Sequence, residues 1–190
     1  MKIFISGGCK NGKSYYAQHL AKAMHTNVLY YIATMQSVDA EDNERIQNHR
    51  HDRDGWGFTT VEQPVDIEKI LHKCDPDGSF LLDSLTALLA NEMFPADDGN
   101  TFKINENAAK KIAGGLTQVL EKIKDIVIVS DYIYSDALLY DPLTEKYRQS
   151  LAQIDRAAAK SCDVVLEIAY SNVIVHKSNS LFEELYEKIL

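Results

Sequence analysis

The run Gly7-Gly8-Cys9-Lys10-Asn11-Gly12-Lys13-Ser14 satisfies the pattern G-x-x-x-x-G-K-[ST] without a gap. It narrows the possible folds because the pattern has meaning only between a buried strand and a following helix. Both flanks fit. Lys2-Ile3-Phe4-Ile5-Ser6 is a short apolar, β-branched run that reads as a strand, and Ser14 to His25 reads as a helix with Tyr16, Leu20 and Ala23 spaced for one buried face. Gly7 and Gly12 permit backbone angles that a Cβ would block, so successive N–H groups along Gly8, Cys9, Lys10 and Asn11 can converge on phosphate oxygens. The helix adds its positive dipole end and its unpaired N–H groups. Lys13 supplies a point charge at the β/γ-phosphates, and Ser14 a hydroxyl ligand for Mg2+. Cys9 places a thiol in this positive potential, but the loop needs only its backbone N–H. The loop predicts binding of a nucleoside triphosphate.

Beyond the loop, strands and helices alternate. Asn27 to Ala33 reads as a buried strand ending at Thr34, Phe58 to Glu62 as a short strand, Ser79 to Asp83 as an apolar strand closed by a carboxylate, and Ile126 to Ser130 as another buried strand. Helices are predicted over Asp66 to Lys73, from Ser84 to about Phe94, over Ile104 to Lys124 with Ile112, Leu116, Val119, Leu120 and Ile123 inward, and over Thr144 to Lys160. A polar loop is expected over Pro95 to Thr101. Val164 to Ile168 and Asn172 to His176 read as a hairpin, and Ser180 opens a C-terminal helix with capping-box spacing. The pattern predicts an α/β fold of the phosphate-loop, RecA-like kind: three layers, a mainly parallel sheet covered on both faces, and an antiparallel hairpin at one edge. The 190 residues fit one domain.

A formal charge of −8 argues against broad nucleic-acid or anionic-membrane binding. No apolar run approaches the ~20 residues that span a bilayer, and no signal peptide is read at the N-terminus. Cys9, Cys74 and Cys162 are scattered and odd in number, which suits a reducing cytoplasm.

Two further features carry chemistry. Asp83, at the C-terminal end of its strand, is placed to hold Mg2+ opposite Ser14; the bland alternative is a cap for the next helix. Asp39 to Arg53 is a highly charged segment of helical spacing with Arg45, His49 and Arg53 on one face. By itself it reads as a solvated helix with a surface histidine. His51 points to a different face, and His19, His25, His72 and His176 have no metal-ligand spacing.

Several segments together give a more specific reading: Gly7-Gly8 to Lys13-Ser14, Tyr31-Ile32-Ala33-Thr34, Arg45-Ile46 with His49, Trp56 with Thr60-Val61-Glu62, and Leu81-Leu82-Asp83 with Thr86 and Asn91. Weaker matches follow at Tyr147-Arg148, Ala157-Ala158 and Asp163-Val164-Val165. In these the chain resembles the bifunctional adenosylcobinamide kinase / adenosylcobinamide-phosphate guanylyltransferase family of cobalamin biosynthesis. The resemblance implies two reactions at one site. Adenosylcobinamide is phosphorylated with ATP or GTP, and GMP from GTP is then attached through a guanylyl-histidine. It puts the nucleophile at His49, with His51 as the alternative, and Lys13 among the catalytic residues. Thr34, Arg45, Arg53, Glu62 and Asp83 join the loop as nucleotide-binding residues. It also implies a homotrimer. Chemistry supports a histidine nucleophile, because a neutral imidazole attacks an α-phosphorus without prior deprotonation.

The chain departs from that family at Asp131-Tyr132-Ile133-Tyr134, where N-E-V-G is usual, at Arg53-Asp54, where an Arg-Pro pair is usual, and at Asp155, where an asparagine is expected. These are expected to alter base or corrinoid contacts and to leave phosphate handling untouched. The rival readings are a phosphate-loop small-molecule kinase without the guanylyltransferase step and a GTP-binding regulatory protein.

Overall fold

The apolar runs form one seven-stranded sheet in the computed structural model, which describes residues 1–25, 27–36, 55–95, 104–134 and 136–187. The strands are β1 (Lys2–Gly7), β2 (Leu29–Ala33), β3 (Phe58–Glu62), β4 (Ser79–Asp83), β5 (Asp125–Asp131), β6 (Val164–Ala169) and β7 (Asn172–Lys177). Their order is β3-β2-β4-β5-β1-β6-β7. Every pairing is parallel except the β6–β7 hairpin at one edge. The predicted α/β architecture is therefore the observed one.

Alternation along each strand sends successive side chains to opposite faces. Ile3, Ile5, Val127 and Val129 pack under α1 (Lys13–Ala23) and against Phe182 of α5 (Ser180–Tyr186). Phe4, Ile126, Ile128 and Phe80 pack under α2 (Leu85–Met93), α3 (Ala108–Lys122) and α4 (Pro142–Ser161), with a 3₁₀ helix over Ile67–His72 on the same side. The five inward residues predicted on α3 are all buried.

Local differences have physical causes. The buried face of α1 is Ala17, Leu20, Ala21 and Met24, whereas Ala23 is exposed and Tyr16 is only half-buried. Here the small Ala17 and Ala21 let the helix lie close on the sheet, and the larger Tyr16 sits at the margin. The segment predicted as a helix over Asp66 to Lys73 is the 3₁₀ turn, entered through Asp66 at φ 52°. The cap of α5 is Asn179, whose side chain accepts from the Phe182 amide at 2.9 Å, rather than Ser180. The charged segment Asp39 to Arg53 and most of the loop Pro95 to Thr101 lie outside the described residues. Among the described residues no helix is long and apolar enough to cross a membrane.

Candidate active site

The loop leaves β1 at Gly7, whose neighbour across the sheet is Asp131 at the end of β5. A Cβ on Gly7 would come within 2.5 Å of the Ile168 carbonyl oxygen, a backbone atom with no freedom to give way. Gly12 caps α1 with φ 87°, a left-handed conformation that a side chain rarely adopts. Its carbonyl accepts from the Tyr15 and Tyr16 amides, so the helix begins directly from the loop.

Lys13 is buried. Its Nζ donates to the Gly8 carbonyl at 2.6 Å and pairs with Asp131 Oδ1 at 2.7 Å. The ammonium is thus folded back into the loop with one carboxylate as counter-ion. This corrects the expectation that the family departures leave phosphate handling untouched. Asp131 is one of them, and it pairs with the lysine of the loop. Its backbone N–H donates to Thr86 Oγ1 at 2.9 Å, and the Thr86 carbonyl accepts from the Tyr147 hydroxyl at 2.8 Å. Burial raises the pKa of Tyr147, keeping the phenol protonated as that donor. Arg148 fixes the rest of the segment after β5 by donating to the Ile133 carbonyl at 3.0 Å and to Asp136 at 2.6 Å.

A cleft of about 610 Å³ opens beside the loop, lined by Lys10, Lys13, Ser14, Tyr31, Asp83 and Asp131 among others. Ser14 and Asp83 therefore line one cavity. Asp83 Oδ2 accepts from the Tyr31 hydroxyl at 2.8 Å. Thr34 holds the backbone beneath it. Its Oγ1 donates to the Ser84 carbonyl at 2.8 Å and accepts from the Ser84 amide at 2.7 Å, across the cis Asp83–Ser84 peptide. Thr34 is fully buried, so its hydroxyl is engaged by this peptide rather than turned to the cleft. Asn91 donates to the Thr34 and Pro64 carbonyls at 2.7 and 3.0 Å, joining the ends of β2 and β3. A hydroxyl and a carboxylate are hard oxygen donors that fit Mg2+, an ion that keeps several waters and phosphate oxygens for itself. Among the described residues no group of three His, Cys, Asp or Glu side chains suited to a metal occurs.

Glu62 ends β3 in register with Ala33, which is in turn in register with Asp83, so it stands at the same edge of the sheet but outside the cleft. Cys9 is exposed in the loop. Arg45, His49, Arg53 and the alternative His51 lie outside the described residues. The other histidines have structural surroundings or face solvent. His19 contacts the Tyr15 carbonyl at 2.8 Å and packs on Trp56, His176 pairs with Glu167 at 2.8 Å, and His25 and His72 are exposed. Asp131, Tyr31 and Tyr147 stand out in the sequence only as matches to the family or departures from it, with no role at the loop assigned to them. For Asp131 a signal was present, since strand alternation past Val127 and Val129 puts position 131 on the face of α1.

The family model for cobinamide kinase / cobinamide phosphate guanyltransferase matches residues 3–171. The bifunctional adenosylcobalamin biosynthesis protein CobU of Escherichia coli is 33% identical over 96 residues, 50% of this chain and 51% of that protein. CobP of Pseudomonas aeruginosa, which carries the same description, is 28% identical over 166 residues, 87% of this chain and 91% of that protein. The matched region thus spans about half the length of the first relative and nearly all of the second. Among solved structures, a KaiC-like protein from Pyrococcus horikoshii superposes with a TM-score of 0.50 at 13% identity, covering 94% of this chain and 80% of that one. This last likeness concerns the fold alone.

Proposed function

The chain belongs to the cobinamide kinase / cobinamide phosphate guanyltransferase family, a family of transferases, and from that premise we propose that it acts in adenosylcobalamin biosynthesis on adenosylcobinamide. In the first step a hydroxyl oxygen of adenosylcobinamide attacks the γ-phosphorus of ATP or GTP and gives up its proton to solvent, the bond to the β–γ bridging oxygen breaks, and the nucleoside diphosphate leaves. In the second step an imidazole nitrogen of His49 attacks the α-phosphorus of GTP and pyrophosphate leaves. The phosphate of adenosylcobinamide phosphate then attacks the guanylyl-histidine, releasing the imidazole and giving adenosyl-GDP-cobinamide.

The observation that carries this reading is the position of Lys13. Its ammonium is already inside the loop, 2.7 Å from Asp131, in a cleft that Ser14 and Asp83 also line. An entering phosphate exchanges with the Asp131 carboxylate for that cation, and the loop amides and the start of α1 take the remaining charge. Mg2+ held by Ser14 and Asp83 would neutralise charge on the β- and γ-phosphates. The Tyr31 hydroxyl and the Thr34–Ser84 bonds hold Asp83 in place for it. Arg45 and Arg53 are assigned to the triphosphate, and Glu62 to the nucleotide at the strand-end edge. We place the chain in a homotrimer, so that sedimentation should give three times its mass.

Incubation with α-labelled GTP and Mg2+ tests the second step. The expected outcome is acid-labile, alkali-stable label on the protein that His49→Ala abolishes. Label retained by His49→Ala and lost in His51→Ala would reassign the nucleophile. The departure at Asp131 to Tyr134 favours one rival, a kinase that performs the first step alone. It predicts phosphorylated corrinoid and no labelled protein with any histidine intact.

A further inference from the structure

Two of the family departures, Tyr134 and Asp155, meet in space, although they are far apart in sequence. The Tyr134 hydroxyl donates to Asp155 Oδ2 at 2.8 Å. Tyr132 lines the same cavity of about 360 Å³, which lies behind β1 on the face opposite α1, between α4 and β6. Ser6 and Glu167 line it, and Ser130 stands in register with Ser6 on the other side, so a polar row crosses three strands here. Such a row is unusual in a sheet face that is otherwise apolar at Phe4, Ile126 and Ile128.

The row is incompletely satisfied. Asp155 is 3% exposed, yet its Oδ1 has no hydrogen-bond partner among the described residues, and the buried hydroxyls of Ser6 and Ser130 have none either. The Ser130 hydroxyl favours the Asp155 carboxylate, and the Ser6 hydroxyl acts on Tyr134 in the same way, but neither makes a full hydrogen bond. Arg156 also lines the cavity, but among the described residues no ion pair joins it to Asp155. Burial and the charge of Asp131 oppose ionisation, and only the Ser130 and Tyr134 hydroxyls assist it. The other acid in the cavity, Glu167, is already paired with His176 at 2.8 Å. The site therefore offers one unpaired buried carboxylate oxygen and the Ser6 hydroxyl, with the Ser130 hydroxyl next to it in register, and walls that include two tyrosine rings and, at one side, Arg156. A primary ammonium has one positive charge and three N–H donors, and tyrosine faces attract cations.

We infer that this cavity is a binding site for a small molecule bearing a primary ammonium group, which is held by Asp155 Oδ1 with Ser6 and Ser130 and is separate from the nucleotide cleft. The cavity shares no lining residue with the nucleotide cleft, so it stands or falls apart from the proposed transfers.

The test is calorimetric titration of the full chain, without nucleotide, using ethylammonium chloride at constant ionic strength. Tetramethylammonium chloride, of equal charge but without N–H donors, and potassium chloride are the controls. Saturable heat with ethylammonium alone is expected. Asp155→Asn, which keeps the shape and the Tyr134 bond, should weaken it at least about tenfold, as should Ala159→Leu, which fills the cavity and leaves the carboxylate in place. Absence of saturable heat in the wild type would mean that the cavity holds only water and would overturn the proposal. An equal response to tetramethylammonium or potassium, or binding unchanged in Asp155→Asn, would overturn it as well.

Discussion

Replacing Asp155 by asparagine should stabilise the protein at neutral and alkaline pH and do nothing at acid pH. The side chain is buried, and burial, reinforced by the charge of Asp131, pushes its pKa up from 3.8 to about 6. The sign follows from linkage. Between those two values the folded chain holds a proton that the unfolded chain has released, so stability falls as pH rises through this window and stays low above it. At ~1.36 kcal/mol for each tenfold change in proton affinity, the cost at about pH 8 is about 3 kcal/mol, as an order of magnitude. Asparagine carries no charge, still accepts from the Tyr134 hydroxyl, and offers its amide to the unpartnered Ser6 and Ser130 oxygens. Urea unfolding of both proteins at about pH 8 and about pH 4, in phosphate or acetate buffer free of amines, measures the difference. The expected advantage of Asp155→Asn is about 2–3 kcal/mol at the higher pH and near zero at the lower. An advantage independent of pH, or a loss at about pH 8, would refute the reasoning, because a carboxylate buried without an ion pair would then not be what sets the difference.

Three other substitutions probe the nucleotide cleft. Asp131→Asn removes the carboxylate that competes with phosphate for Lys13, so triphosphate affinity should rise about threefold to tenfold in a fluorescent-nucleotide titration, and a fall would show that Asp131 assists binding. Thr34→Val leaves the Ser84 amide without its buried partner, while the Ser84 carbonyl keeps the Leu88 amide; thermal or urea unfolding should show a loss of about 1–2 kcal/mol, and an unchanged stability would count against the clamp. Gly7→Ala drives a Cβ to within 2.5 Å of the Ile168 carbonyl, and should destabilise by about 1–3 kcal/mol and weaken nucleotide binding; retention of both would mean that the loop shifts without cost.

The architecture was legible wherever a repeat of two or a glycine constraint governs the chain. Buried parallel strands announce themselves as continuous apolar runs, and the loop between β1 and α1 has few solutions once Gly7, Gly12 and Lys13 are in place. Asp83 was legible for the same reason, because it closes an apolar strand. What escaped depends on contacts distant in sequence. Asp131 seemed to lie past the end of its strand, but β5 runs one residue further and turns that carboxylate toward Lys13. Asp155 was visible as a departure from the family pattern, yet its burial depends on Tyr134, twenty-one positions away in another element. The face of α1 was misjudged because Ala17 and Ala21 are weak hydrophobic signals, although their small size is what allows close packing on the sheet. Asn179 and Ser180 are both good capping residues, and only the backbone conformation decides between them.

In the proposed function one loop serves the transfer of phosphate from a nucleotide to a corrinoid. The direct measurement is chromatography and mass analysis of adenosylcobinamide incubated with the protein, Mg2+ and GTP. The predicted result is adenosylcobinamide phosphate followed by adenosyl-GDP-cobinamide, with both products suppressed at least about a hundredfold in Lys13→Ala, since that lysine serves each triphosphate step. Tight GTP binding with the corrinoid recovered unchanged would contradict it.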